Sequence, residues 1–311
     1  MCVEKKNDYR IEADSIGTKD VPENVYYGVQ SLRAAENFHI TGLNMHPEII
    51  NSLAYIKKAC AITNCEVGLL DKKIANAIVQ ACDEIIAGKF HDDFIVDPIQ
   101  GGAGTSLNMN ANEVIANRAI EILGGEKGDY DIVHPNDHVN YGQSTNDVIP
   151  TAGKITSLRL LKNLKSELLR LHDTLEKKAE EFDHVIKMGR TQMQDAVPIR
   201  LGQEFRAYSV AIMRDIRRMD LAMNEMRTVN MGGTAVGTGI NADETYLKRI
   251  VPNLSEVANM ELVQAFDLID STQNLDSFVS VSGAVKACAV TLSKIANDLR
   301  LMSSGPRAGF G

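Results

Sequence analysis

The sequence predicts a mainly α-helical protein: an elongated bundle of long helices with a smaller, mostly helical N-terminal domain. Three observations support this class. Apolar residues recur at steps of three and four over three long segments. Each segment is roughly 30 residues, which corresponds to ~45 Å of helix and exceeds the ~11–12 residues of an ordinary globular helix. Patterns typical of strands are confined to short stretches near the N-terminus.

We place the N-terminal domain at residues 1–141 and the bundle domain at residues 142–311. In the first domain the spacing predicts helices over 47–68, 72–88 and 111–124, and short strands over 8–14 and 25–28. The bundle opens with a helix running to about Phe182. Pro198 would open the second long helix, because proline is favoured in a first helical turn.

The apolar stripes of the bundle are heptad-like and use many small or medium side chains. They comprise Leu161, Leu164, Leu168, Leu171, Leu175 and Phe182; Ile212, Ile216, Met219, Met223 and Met226; and Leu275, Phe278, Ser282, Val285, Ala289, Leu292, Ala296 and Leu299. One chain is not expected to cover all three stripes. We therefore expect a homo-oligomer with a shared helical core, and a monomeric bundle is the alternative.

Composition bounds the function. With 44% hydrophobic and 24% charged residues, the chain belongs among globular proteins. The net charge of −8 argues against a nucleic-acid partner, because phosphate binding needs a basic face. Five scattered cysteines indicate reduced thiols and a cytoplasmic location. No uninterrupted apolar run approaches the ~20 residues of a membrane span, and the charged first residues do not suggest a secretory signal.

The most informative segment is GQSTND, residues 142–147. It places Ser144, Thr145 and Asn146 at the start of a long helix, where unpaired N–H groups and the helix dipole attract anions. An ordinary N-cap is the alternative interpretation, since these residue types are the usual caps. A small carboxylate would fit the first interpretation.

Other polar segments also stand out from the helical pattern. Residues 100–110 (QGGAGTSLNMN) combine small residues with donors at Thr105, Ser106, Asn108 and Asn110, and a glycine-rich turn is the alternative. Residues 189–198 (GRTQMQDAVP) form a second polar loop at a bundle end. Residues 231–241 (MGGTAVGTGIN) are rich in glycine but lack the lysine of a phosphate-binding loop, which indicates an inter-helix loop.

His134 and His138 lie four residues apart, which raises the question of a metal pair. Pro135 between them makes a helical pair doubtful, and the glutamate of a zinc-protease helix is absent. We interpret them as structural histidines and expect neither a metal ion nor a cofactor.

Taken in order, several motifs resemble those of the aspartate ammonia-lyases within the aspartase/fumarase superfamily. They are YGVQSLRA, GGAGTSLNMNANEV, PNDHVN, QSTND, KMGRTQMQDAVP, LGQEFRA, GTAVGTG and NDLRLMSSGPRAG. The resemblance covers nearly all the chain. It implies a mostly helical subunit that assembles as a homotetramer around a central bundle, with sites shared between subunits.

The resemblance also implies a reaction, the reversible deamination of L-aspartate to fumarate and ammonium. It assigns substrate binding to Thr105, Ser144, Thr145, Asn146, Thr191 and Gln192. Fumarases usually carry GSGTQ and QSSND where this chain has GAGTS and QSTND, so the sequence favours the aspartase form over a class II fumarate hydratase. Gln192 stands where fumarases and some aspartases have histidine.

One departure from the family pattern concerns the base. In the family, the proton-abstracting serine lies in a loop of the form GSSxMPxKxNP, which does not occur in the 311 residues. Residues 303–306 (SSGP) belong to the preceding motif. We therefore expect the catalytic serine and the C-terminal domain to lie beyond Gly311, and a non-catalytic oligomeric scaffold is a further hypothesis for this chain.

Overall fold

Helices dominate the computed structural model, which describes residues 9–305 and 309. The α-helices of this part are α1 (Val29–Asn37), α2 (Pro47–Glu66), α3 (Lys72–Ile86), α4 (Thr105–Ile122), α5 (Thr145–Glu181), α6 (Leu201–Met226), α7 (Glu244–Ala258), α8 (Leu268–Gln273) and α9 (Asp276–Met302). The mainly helical class is thus confirmed, and α5, α6 and α9 are the three long helices that the apolar spacing predicts.

The strands are short and form two-stranded sheets. β1 (Tyr9–Asp14) pairs antiparallel with β2 (Gly17–Pro22), β3 (Ile186–Thr191) pairs antiparallel with β4 (Gln194–Arg200), and β5 (Thr228–Val229) pairs parallel with β6 (Val263–Gln264). The strand expected over 8–14 is present as β1. The strand expected over 25–28 is wrong, because the backbone there turns into α1.

Local sequence explains where several helices begin. Asp71 accepts hydrogen bonds from Lys73 N and Ile74 N at the start of α3, and Asp243 caps α7 in the same way. His46 caps α2 and is followed by Pro47 in the first turn. These side chains satisfy backbone N–H groups that have no partner inside the helix.

The chain divides into two compact units. Unit 1 holds the described residues of Met1–Thr156 together with Arg227–Asn274, and unit 2 holds Ser157–Met226 and the described residues of Leu275–Gly311. α5 begins in unit 1 and continues into unit 2. The predicted boundary at 141–142 lies inside unit 1, and the division into domains 1–141 and 142–311 stays a prediction.

The core of unit 1 is formed where α2 packs against α3 and α7, and where α3 packs against α4. Its large, fully buried side chains include Ile50, Leu53, Ile56, Ile78, Ile85, Ile115, Ile120 and Tyr246. The helix predicted over 111–124 starts earlier, at Thr105. This earlier start matters because it places Thr105 in a first helical turn.

The core of unit 2 joins α5, α6 and α9. It comprises Leu168, Leu175, Tyr208, Ile212, Ile216, Met219, Ala222, Ala284, Cys288 and Ile295. The predicted stripes of α5 and α6 supply much of this core. On α9 the buried face differs from the predicted stripe, because Ser282, Ala289 and Ala296 are exposed.

The third long helix has a composition of its own. α9 is long and apolar enough to cross a membrane by length and composition alone, with a mean hydropathy of 1.4 over its most apolar 18 residues. Only 17% of that window is buried within the chain. Serine and lysine residues interrupt the window, so no uninterrupted apolar run forms there.

Candidate functional site

The start of α5 is built as a reciprocal cap. Ser144 Oγ accepts a hydrogen bond from Asn146 N at 3.2 Å, and Asp147 Oδ1 accepts one from Ser144 N at 2.9 Å. This pattern satisfies donors at both sides of the helix start. The N-cap interpretation of QSTND is therefore correct for Ser144. Thr145 remains half-buried and Asn146 is exposed at the first turn.

Asp147 also ties the glycine-rich loop to this helix start. Its Oδ2 accepts hydrogen bonds from Gly232 N at 3.2 Å and Thr234 N at 3.0 Å. Burial raises the pKa of Asp147 to about 6, against the lowering effect of these backbone donors. The loop predicted over 231–241 is thus a structural loop that wraps a carboxylate of the chain itself.

Asn146 and Asn230 complete the same junction. Asn146 Nδ2 donates to Ala235 O at 2.7 Å, and Asn230 Nδ2 donates to Asn146 O at 2.9 Å. Pro150 lies inside α5 and has no N–H to offer to the carbonyl of residue 146, four positions earlier. Fully buried Asn230 takes over this role, so the proline is accommodated without an orphaned carbonyl.

The start of α4 differs from that of α5, because no side chain of the N-cap residue caps it. Gly104 precedes the helix with a φ of 87° and provides no side-chain cap. A side chain at that position would meet Ile149 Cγ2 at 2.9 Å, so glycine is required on both grounds. Gln100 Oε1 accepts from Leu107 N at 2.7 Å, and Thr105 is exposed at the first turn.

A buried polar network joins the two helix starts. Asn108 Nδ2 lies 3.3 Å from Thr145 Oγ1 and 3.2 Å from Asn140 Oδ1. Lys57 Nζ donates to Asn140 Oδ1 at 2.7 Å and to Gln143 Oε1 at 2.9 Å. The hydroxyl of Thr145 is therefore connected through side chains to a fully buried ammonium group.

Thr191 and Gln192 lie in unit 2, at the tip of the β3–β4 hairpin. Gln192 and Met193 form the two-residue turn and adopt φ values of 51° and 60°. Left-handed backbone at two consecutive residues is typical of hairpin turns but is usually supplied by Asn and Gly. Both Thr191 and Gln192 are exposed. The polar loop expected at 189–198 is thus a hairpin.

The prediction that Pro198 opens the second long helix is wrong. Pro198 lies in β4 opposite Met188 and does not open α6, which begins at Leu201. A two-stranded hairpin leaves one edge of each strand without a partner, and proline is tolerated there because it has no N–H to donate.

The histidines of residues 134–138 have structural partners. His138 Nδ1 accepts from His134 N at 2.8 Å, and His134 Nδ1 accepts from Asn136 N and Asp137 N at 3.2 Å. Burial lowers the pKa of His138. Among residues 9–305 and 309, no group of three His, Cys, Asp or Glu side chains could hold a metal ion.

Four of the six predicted site residues therefore lie in unit 1. Thr105 opens α4, and Ser144, Thr145 and Asn146 form the start of α5, with Asn108 linking the two helices. Thr191 and Gln192 lie in unit 2. Sequence reasoning missed Lys57 and Asn230, whose roles depend on partners more than 80 positions away. The occurrence of Lys57 inside an apolar stretch was the available signal for the first.

The fold is mainly α-helical, and hydroxyl and amide side chains lie at the starts of two of its helices. This combination is typical of a helical enzyme that binds a small anion, and comparison with known proteins identifies the family. A family model described as "Lyase" matches residues 17–311, and the chain belongs to this family of enzymes. The chain is 57% identical over 305 residues to aspartate ammonia-lyase of Bacillus subtilis (strain 168), covering 98% of this chain and 64% of that protein.

Solved structures agree with this relationship. The fumarate lyase:delta crystallin from Brucella melitensis bound to cobalt superposes with a TM-score of 0.96 at 48% identity, covering 97% of this chain and 66% of that one. A class II fumarase from Schistosoma mansoni gives a TM-score of 0.92 at 34% identity, covering 97% and 67%. The chain spans about two thirds of the length of these relatives.

Proposed function

We propose that this protein catalyses the reversible elimination of ammonium from L-aspartate to give fumarate. Thr105, Ser144, Thr145, Asn146, Thr191 and Gln192 bind the substrate carboxylates. The observation that carries the proposal is the start of α5, where a half-buried threonine hydroxyl is held beside the first turn of α4 through Asn108. The similarity to a protein named aspartate ammonia-lyase supports the choice of substrate.

The chemistry explains why such groups are needed. A base takes the proton from the carbon next to a carboxylate, and the electron pair first moves onto that carboxylate, which then carries two negative charges. The pair returns to form the carbon–carbon double bond while the carbon–nitrogen bond breaks and the protonated amino group departs as neutral ammonia. The proton released by the base converts this ammonia into ammonium. Only groups that bind the doubly charged species better than the substrate accelerate the reaction.

Fixed neutral donors at a helix start meet this requirement. Hydroxyl and amide hydrogens aimed at a developing negative charge need no reorganisation, and loss of one such donor commonly costs ~2.7–4 kcal/mol of transition-state stabilisation. The dipole at the start of α5 acts in the same direction. None of the six proposed binding residues acts as the base in this scheme.

Thr145→Ala tests the proposal. We expect kcat for aspartate deamination to fall by about 100-fold or more, because a donor to the doubly charged species is lost. Fumarate formation followed by ultraviolet absorbance measures turnover, and denaturant unfolding measures the free energy of folding. Lys58→Met, at a partly buried residue of α2 that pairs with Asp83, is the control and should leave turnover unchanged. Near-normal turnover of a folded Thr145→Ala variant contradicts the assignment.

One other function has support from a specific observation. The likeness to a class II fumarase makes hydration of fumarate to L-malate the second candidate. Fumarate formed from L-malate but not from L-aspartate would establish that activity. A non-catalytic scaffold is the third candidate. It predicts that the chain keeps its carboxylate-binding loops and oligomerises but forms no fumarate from L-aspartate.

We further propose a homotetramer with sites shared between subunits. The support is the outer face of α9, on which Val279 and Val290 are 71% and 64% exposed within the chain. An apolar helix face of this kind is usually covered by another protein surface. A shared bundle core also accounts for the apolar composition of α9.

A cytoplasmic location is consistent with the free thiols of Cys60, Cys65, Cys82 and Cys288.

A further inference from the structure

Lys57 is a fully buried lysine whose two hydrogen-bond acceptors are both neutral amides. Its ammonium donates to Asn140 Oδ1 at 2.7 Å and to Gln143 Oε1 at 2.9 Å. The adjacent Lys58 is partly exposed and pairs with Asp83 in the ordinary way. Burying an ammonium that no carboxylate hydrogen-bonds costs free energy, and the charge of nearby Asp147 offsets only part of this cost, so the retention of Lys57 at this place calls for a reason.

An ammonium can only donate hydrogen bonds, and this fixes the orientation of both amides. Asn140 and Gln143 must present their oxygens to Lys57. Their nitrogens agree with this arrangement, because Asn140 Nδ2 faces Gln143 O at 3.4 Å and Gln143 Nε2 donates to Val139 O at 3.0 Å. The two amides therefore have one orientation each.

The orientation of Asn140 then fixes that of Asn108. Only the NH2 group of Asn108 can face Asn140 Oδ1 at 3.2 Å, because a flipped amide would bring two acceptor oxygens together. The same NH2 group faces Thr145 Oγ1 at 3.3 Å. Asn108 Oδ1 is buried without a hydrogen-bond partner, so this orientation is kept at a cost.

Thr145 is the last residue in the series of hydrogen bonds that runs from Lys57 through Asn140 and Asn108. Its oxygen accepts from Asn108, which leaves the hydroxyl hydrogen available to donate elsewhere. We propose that Lys57 is a positioning residue that sets the polarity of this network, so that Thr145 must act as a donor to a bound carboxylate. The inference deepens the proposed function and rests on it.

The charge state of Lys57 is compatible with this role. Burial lowers the pKa of Lys57 to about 8, so the side chain is still mainly an ammonium at neutral pH.

Two substitutions of Asn by Asp give a matched test. Asn108→Asp replaces the donor facing Thr145 with an acceptor, so the threonine hydrogen turns inward and fumarate affinity should fall by about tenfold, as expected for one hydrogen bond. Asn140→Asp keeps the acceptor facing both Lys57 and Asn108 and should weaken binding much less. Both variants add one carboxylate, but only the one at position 140 contacts the Lys57 ammonium. The comparison is therefore repeated in a Thr145→Val background, where an effect of charge remains and an effect of hydroxyl orientation does not.

Lys57→Met removes the ammonium while keeping an unbranched side chain, and Lys58→Met is its control. We expect weaker fumarate binding by calorimetry for Lys57→Met only. In a Thr145→Val background, Lys57→Met and Asn108→Asp should have little further effect, because the hydroxyl that they orient is gone. A structural role alone would give additive losses. Should Lys57→Met fail to fold, the Asn108→Asp and Asn140→Asp pair decides the matter.

The outcomes separate the two proposals. If Thr145→Val leaves fumarate affinity unchanged, Thr145 is not in the site, and both the proposed binding role and this inference are wrong. If Thr145→Val weakens binding but Asn108→Asp equals Asn140→Asp, the binding role stands and the polarity inference is overturned. Loss confined to Asn108→Asp and Lys57→Met, and absent without the Thr145 hydroxyl, supports it.

Discussion

Lys57 and Lys58 are adjacent in the sequence, and the direction in which each side chain leaves α2 decides how deeply it is buried. Consecutive residues on α2 point about 100° apart, so Lys57 enters the core while Lys58 is only partly buried and pairs with Asp83. Leu53, Ile56 and Cys60 mark the buried stripe, and Lys57 lies on it. Pattern reasoning assigns lysine to the surface as a residue type, and its buried partners come from a segment more than 80 positions away.

Asp147 is a buried carboxylate that accepts hydrogen bonds from three backbone N–H groups. Asp147→Asn turns one acceptor oxygen into a donor that faces backbone N–H groups, so the free energy of unfolding at neutral pH should fall by about 1–3 kcal/mol. Because burial raises the pKa of Asp147 from 3.8 to about 6, the native state binds its proton more tightly. That contribution to stability is full below pH 3.8 and is lost as the pH rises through about 6.

The difference in unfolding free energy between the wild type and Asp147→Asn should therefore decrease as the pH rises from about 4 to about 6. Denaturant titrations at several pH values measure it. Asp243→Asn is the control with the opposite sign. Backbone hydrogen bonds at the α7 cap lower the pKa of Asp243, so its contribution is lost as the pH falls. A pH-independent difference for Asp147→Asn contradicts the prediction.

Among the three long helices, α5 is the one whose start and length were both predictable. The apolar spacing gives its length, and QSTND gives its start. Its internal Pro150 could be read as a defect. The structure shows why it is tolerated, since Asn230 donates to the carbonyl that the proline cannot reach. Sequence alone does not reveal this pairing, because Asn230 lies in a loop 84 positions away.

Gly202 gives a prediction for how α6 begins. Its N donates to Phe182 O at 3.1 Å, and a Cβ there would lie 2.2 Å from Ala179 O and 2.8 Å from Asp183 Cα. Both obstacles are backbone atoms that cannot rotate away. We expect Gly202→Ala to lower the free energy of unfolding by about 1–3 kcal/mol in denaturant titrations.

Gly283→Ala on α9 is the matched control, because among the described residues no heavy atom outside the adjoining backbone of its own helix lies within 4 Å of the added Cβ. Alanine is the better helix former, so this variant should not destabilise the fold. Equal destabilisation by both substitutions would show that the contact with the end of α5 is not the cause.

For the whole molecule, the question is what covers α9. Its inner face packs in the core of unit 2 through Ala284, Cys288 and Ile295, while Val279 and Val290 face outward. Part of the predicted stripe of α9 is exposed within one chain, namely Leu275, Ser282, Ala289, Ala296 and Leu299. An oligomeric core explains both observations in the proposal.

Val279→Lys combined with Val290→Lys tests the proposed tetramer. Two ammonium groups on an apolar interface would lose hydration without gaining partners, so the mass by light scattering should fall below that of a tetramer. Ile16→Lys in the β1–β2 turn introduces the same change at a site that is 78% exposed and should leave the mass unchanged. A wild-type monomer at micromolar concentration, or a variant of undiminished mass, argues against the proposal.

The sequence by itself determined the helical class, the three long helices and the segments that carry polar side chains. Periodicity and capping act over a few residues, so they can be read locally. Only the tertiary structure decided that Lys57 is buried, that Asn108 joins α4 to Thr145, and that Asp147 holds a glycine-rich loop. These contacts join distant segments, and their energy arises from burial and hydrogen-bond orientation that exist only after the chain has folded.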